Sequence, residues 1–159
     1  MTGGIIGAVI VPPHPHLVLA SDQRPGWRRL ADAYAEAGQM IAEHEPDVLL
    51  IYSTLWPSVI GHQIQARPEP EWVLVDEDFH DLGSIPYKLR VDASLAHGIV
   101  DAAKDRGLEA RAIDHHGFPV DVGSVVASHF LSPDNSIPIV IISANVYADR
   151  AETVVLAKS

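Results

Sequence analysis

Three short stretches of this chain carry side chains whose types and spacing could do chemistry: Pro13-His14-Pro15-His16, Ser53-Thr54-Leu55-Trp56 and Asp114-His115-His116-Gly117. Histidine is the commonest metal ligand and the side chain that titrates nearest neutrality. The chain holds 9 of them against 11 lysines plus arginines. If extended backbone continues through His14 and His16, both rings project to one face, and Pro15 stiffens the segment, so the pair could chelate a metal. Such a pair is also a common coincidence. Adjacent histidines on extended backbone point opposite ways, so at most one of His115 and His116 faces a shared pocket. Gly117 lets the backbone approach a ligand closely. Either histidine could act as general acid or base if it reaches the reacting atom, with Asp114 to orient it; an ordinary polar turn is the competing reading. Trp56 could line an aromatic pocket, whereas Trp27 and Trp72 read most simply as core. The acidic run Asp76, Glu77, Asp78 and Asp81 beside His80 reads as a solvated loop.

These stretches need elements to position them. Ile5 to Val11 is a short β-branched run that reads as a buried strand ended by Pro12 and Pro13. Trp27, Leu30, Ala31, Tyr34, Ala37 and Ile41 form one face of an amphipathic helix, stopped by Pro46. Val48 to Tyr52 reads as a second strand and Ser53 to Pro70 as loop. Trp72 to Val75 reads as a third strand, Asp76 to Tyr87 as an irregular connection. Asp92 to Arg106 is helical, with Gly107 just past its C-terminus. Glu109 to Ile113 and Ile137 to Ser143 read as strands, Val122 to Leu131 as a helix, and Ala151 to Lys158 as the start of another. Strands alternate with helices and are continuously apolar. That pattern predicts a single α/β domain over residues 1–159, with a mostly parallel sheet flanked by helices.

In such sheets ligands bind beyond the C-terminal ends of the strands. The predicted strands run into the Pro-His-Pro-His stretch, into Ser53–Trp56 with His62 a little later, into Asp114–Gly117, and into Ser143-Ala144-Asn145. Five of the 9 histidines thus fall on the predicted ligand side.

Composition excludes other chemistries. There is no cysteine, so disulfides, thiolate metal sites and a cysteine nucleophile are ruled out. The formal net charge is -10 and no basic run occurs, which argues against a nucleic-acid partner. The stretch from Met1 to Pro12 is apolar without a basic leader, so it does not read as a signal peptide. No apolar run approaches the roughly 20 residues that span a bilayer. A soluble, cytoplasmic protein is expected. Gly3, Gly4 and Gly7 precede or interrupt the first predicted strand and do not make a dinucleotide fingerprint. There is no P-loop and no GxSxG elbow.

Together the motifs resemble a known family. Pro-His-Pro-His looks like the segment bearing the first metal ligand of the class III extradiol ring-cleavage dioxygenases, the LigB superfamily. Asp-His-His-Gly-Phe-Pro-Val, followed by a helical stretch and Ile-Pro-Ile-Val-Ile-Ile-Ser, looks like that family's acid/base motif and next strand. The resemblance implies a non-haem Fe(II) held by two histidines and a carboxylate, with open positions for O2 and a catechol- or aminophenol-type substrate. It implies His14 as first iron ligand and His116 as acid/base residue, with His115 the second choice. The family's second ligand histidine is absent from Tyr52–Trp56, and His62 is the nearest substitute. The family's carboxylate lies in the C-terminal part of a longer chain, beyond where this sequence ends. The resemblance therefore implies either a fragment or a short form completed by a partner in a homo- or hetero-oligomer, such as the non-catalytic subunit of two-subunit members. Asp78, Asp114 and Asp121 remain unranked as carboxylates.

Overall fold

The computed structural model describes residues 4–159. Met1–Gly3, at the head of the apolar N-terminal stretch, lie outside the described residues. Along the chain come α1 (His16–Leu19), α2 (Pro25–Ala42), β1 (Leu49–Ser58), β2 (His62–Gln65), β3 (Glu71–Leu74), β4 (Ile85–Lys88), α3 (Ala93–Asp105), β5 (Ala110–Ile113), α4 (Val122–Leu131), β6 (Ile139–Asn145) and α5 (Arg150–Leu156).

The main sheet has the order β1-β6-β2-β5. β1 and β6 are parallel, β2 and β5 are parallel, and an antiparallel contact between Ile64 and Ile142 joins the two pairs. The sheet is mixed, mostly parallel and flanked by helices. Only three residues separate β1 from β2, too few for a parallel crossover, so β2 must reverse. Gly61 makes that turn at φ +79, where a side chain would run into the backbone of Glu109.

The sheet is buried on both faces, as continuous apolar strands require. Ile139 and Ile141 of β6 join Leu17, Tyr34, Val125, Val126 and Leu131 in one core. Val140 and Ile142, the alternate residues, join Ile64, Ala96, Ile99, Val100 and Leu156 in the other. The helices start on recognisable caps: Pro25 opens α2, the Asp92 carboxylate accepts from Leu95 N at α3, and Asp149 with Glu152 forms a capping box at α5. Gly107 adopts φ +83 after α3, as its position predicts. Among the described residues no helix is long and apolar enough to cross a membrane.

Four expectations are corrected. Ile5–Val11 makes no strand; the run lies exposed and only Val11 packs against the core. β2 falls inside the expected loop, because a strand with a single apolar residue, Ile64, shows no apolar run, yet it is buried between two neighbours. Trp72–Leu74 does not join the main sheet. It pairs antiparallel with β4, inside the expected irregular connection, and Trp72 is exposed there, not core. Strand ends face two ways, so the Asp114–Gly117 motif leaves the sheet where β1 and β6 begin.

α2 and α4 cross closely at Gly38, where an added methyl would overlap the Phe130 carbonyl oxygen. Alanine is favoured over glycine inside a helix by about 1 kcal/mol. A backbone carbonyl cannot rotate away, however, and overpacking costs about 1–3 kcal/mol or more. Gly38→Ala is expected to destabilise by about 2 kcal/mol, lowering Tm by roughly 5 °C, while Gly26→Ala, with open space around it, does not. Equal melting temperatures for the two variants would contradict this packing.

Candidate functional site

His14 and His16 meet, though not by the geometry a strand would provide. Pro15 is helical, at φ -64 and ψ -23, and α1 begins at His16. The turn brings the two Nδ1 atoms to 3.1 Å, and the His16 backbone N–H also points at His14 Nδ1, 3.4 Å away. The pair sits between Trp27 of α2 and Phe79, with ring centroids 4.7 Å from His14 to each and 5.0 and 4.9 Å from His16. Phe79 is set in place by the Asp76 carboxylate, which accepts from Asp78 N and Phe79 N at 3.0 and 3.1 Å. Burial pushes the His14 imidazole below its ordinary value, a charge on His16 pushes it further, and the Asp76 carboxylate opposes both. His14 is therefore neutral near pH 7, the form a metal ligand must take, with its Nδ1 facing the His16 N–H and Nδ1.

The pair's spacing suits metal chelation. Two imidazole nitrogens about 2.0–2.1 Å from one ion and at right angles to each other stand about 3 Å apart. A third donor is missing: among the described residues no three His, Asp or Glu side chains gather closely enough to hold an ion. Among the described residues the pair therefore offers two imidazole nitrogens and no carboxylate beside them.

The Pro-His-Pro-His and Ser53–Trp56 stretches meet at the start of α4, together with the segment that follows Gly117. Asp121 caps this helix: Oδ1 accepts from Ser53 Oγ at 2.7 Å and Ser124 N at 3.0 Å, and Oδ2 accepts from Ser124 Oγ at 2.6 Å. Pro13 packs at Gly123, where Ser53 Oγ also lies close. Trp56 tilts against Phe118 with centroids 5.4 Å apart, so the Ser53–Trp56 stretch meets the segment that follows the histidine pair. Asp121→Ala removes the cap and strands the buried Ser53 hydroxyl. The expected loss is about 2–3 kcal/mol, read as a lower urea midpoint and largely restored in Asp121→Asn. An unchanged midpoint would show that α4 does not depend on this cap.

His115 and His116 are exposed, with rings 4.8 Å apart. Gly117 N donates to His115 Nδ1 at 3.1 Å, and the Arg67 guanidinium donates to the His116 carbonyl. Asp78 and Asp114 are exposed. A broad cleft lined by Arg67, Trp72, Tyr87 and Lys88 contains none of the candidate residues.

His62 lies elsewhere. It opens β2, is only 1% exposed, and neither ring nitrogen has a hydrogen-bond partner. Burial pushes its imidazole below the ordinary 6.5, with Glu152 opposing; burial does the same at His129. A histidine so depressed takes up its proton first in the unfolded chain. Between the folded and unfolded values the unfolded state binds more protons, so stability rises with pH. Stability is expected to be level above about pH 7 and to fall as pH drops below about 6.5. His62→Leu flattens that fall. Melting curves with the same pH slope in both proteins would contradict it.

Trp27 and Phe79 are the site residues that sequence reasoning missed. Trp27 carried a signal as the first apolar residue of an amphipathic helix, but one that reads as core. Phe79 is a lone aromatic in an acidic loop, and nothing in its spacing points to the histidines.

Residues 8–154 match the family described as the catalytic LigB subunit of aromatic ring-opening dioxygenase, a span that includes all three motifs. The chain belongs to the LigB family. It is 34% identical over 154 residues to the 2-aminophenol 1,6-dioxygenase alpha subunit of Pseudomonas sp, covering 96% of this chain and 56% of that one. It is 31% identical over 150 residues to the 2-aminophenol 1,6-dioxygenase beta subunit of Pseudomonas sp, covering 90% of this chain and 49% of the relative. The chain thus spans about half the length of the curated relatives it matches. The resemblance read from the motifs is borne out at the level of the LigB family, as is the α/β core.

Proposed function

We propose that this LigB-family chain supplies the two-histidine part of a non-haem Fe(II) site in an extradiol dioxygenase acting on 2-aminophenol- or catechol-type rings. The observation that carries the reading is the His14–His16 pair, two imidazole nitrogens at chelating distance between two aromatic rings. His14 and His16 would hold the ferrous iron, which would supply a redox-active centre for the reaction of the aromatic ring with dioxygen. Trp27 and Phe79 shield the pair from water and hold both rings in place. His116 serves as proton carrier, with its ring exposed at the surface. His115 is the weaker choice, because its Nδ1 is already committed to the Gly117 N–H. Trp56, with Phe118, offers an aromatic wall for the substrate. The carboxylate ligand comes from another segment of the domain or from a partner chain in a homo- or hetero-oligomer. The cytoplasm is the proposed compartment.

A second reading is a supporting subunit without an iron site of its own, and the absence of a third donor near the pair among the described residues favours it. Oxygen uptake separates the two. With Fe(II), 2-aminophenol or catechol, and the carboxylate-bearing segment or partner supplied, the chain is expected to consume oxygen as a ring-opened chromophore forms. An iron-loaded chain that takes up no oxygen with either ring would leave the supporting-subunit reading standing and remove the catalytic one.

A further inference from the structure

The chain presents, side by side, a strand without a sheet and a sheet edge without a strand. Ile5–Val11 has the β-branched composition of a buried strand and carries no charge. Yet Ile5 is 77% exposed and Ile10 fully so, at 105%. The run is rooted firmly, with Val11 packed on the core and Pro13 seated against Gly123. It therefore stands out from the domain as an apolar arm.

β1 is an edge strand; among the described residues its outer side pairs with nothing. Natural sheet edges are guarded by charges, prolines or bulges. Here Leu49–Ser58 contains no charged residue. Its guards, a break in register after Ser53 and Pro57, sit only in its second half. Leu49–Ser53 is left regular and unguarded, and Leu50 and Tyr52 are 50% and 46% exposed. The chain as a whole carries a net charge of -10, so two copies repel except where uncharged surfaces meet. The arm and this edge are two such surfaces.

We propose that Ile5–Val11 of one copy adds as a strand to the Leu49–Ser53 edge of a second copy, and that the exchange is reciprocal. The contact is then isologous: each copy gives an arm and receives one, which closes a two-fold dimer. Seven extended residues reach roughly 23 Å, more than enough to cover the five of the open edge. The hinge favours exchange over folding back. It is short, with only Pro12 between Val11, packed on the core, and Pro13, seated at Gly123, and short hinges invite exchange. The exchange would cover Leu50, Tyr52 and the arm's isoleucines at once and supply the missing ladder bonds. This inference stands independently of the iron site.

Light scattering on the intact chain is expected to give twice 17.2 kDa. Ile6→Asp/Ile10→Asp, at positions with no core packing, and Leu50→Lys/Tyr52→Lys, on the receiving edge, should each yield monomers with native circular dichroism. Because the chain has no cysteine, Ile10→Cys and Tyr52→Cys chains can be mixed and joined with a short bismaleimide; a mixed-dimer product is expected. A monomeric intact chain at all concentrations, or a dimer that survives both pairs of substitutions, would overturn the proposal. So would a double-cysteine chain that links only within itself, since the arm would then cover its own edge.

Discussion

Replacing His14 by alanine is expected to remove Fe(II) from the reconstituted protein while leaving the fold in place. The reason lies in the 3.1 Å spacing of the two Nδ1 atoms. With both imidazoles present an ion is chelated; with one, it is held by a single nitrogen and lost on desalting. Even residues that only support a ligand cost about 10–100-fold in metal affinity when changed, so loss of a ligand should exceed that. The structural cost is smaller. His14 is half-buried and touches Trp27 and Phe79, contacts worth about 0.5–1.5 kcal/mol each. His16→Ala should behave alike, whereas His62→Ala should keep its iron, because His62 is buried at the start of β2 and not grouped with the pair. Unchanged iron stoichiometry in His14→Ala would sink the ligand assignment.

His116→Ala should keep its iron and lose turnover, by about 10²–10⁴-fold, the usual contribution of a positioned acid or base. The substitution leaves the His116 carbonyl, and so its bond from Arg67, untouched; the loop therefore keeps its anchor. His115→Ala is expected to cost less in turnover and more in loop order, since it deletes the acceptor for Gly117 N. Steady-state kinetics beside metal analysis tells these apart. Lost iron or a lost fold in His116→Ala would make the residue structural.

Much of the fold was legible because it rests on periodicity. α2, α3 and α4 follow their apolar stripes, Asp92 and Asp121 stand where caps belong, and β5 and β6 are the apolar runs expected. Two failures have the same root: apolar content is not partnership. Ile5–Val11 has the composition of a core strand and no neighbour, while His62–Gln65 has almost none of that composition and is buried on both sides. Strand direction was also hidden, because the three-residue link that reverses β2 carries no signal in an apolar run. At the site, the His14–His16 pairing was visible in the spacing, but the turn at Pro15 that brings it about was not. Phe79 reaches the pair through the Asp76 turn, a tertiary contact that no local pattern announces.

The most direct test of the proposed site is anaerobic reconstitution with Fe(II), followed by desalting and metal analysis of the unmodified chain beside His14→Ala. The account predicts about one iron per chain in the unmodified protein and background iron in the variant. No iron retained by the unmodified chain would contradict it, and would show that His14 and His16 do not hold a metal in this protein by itself.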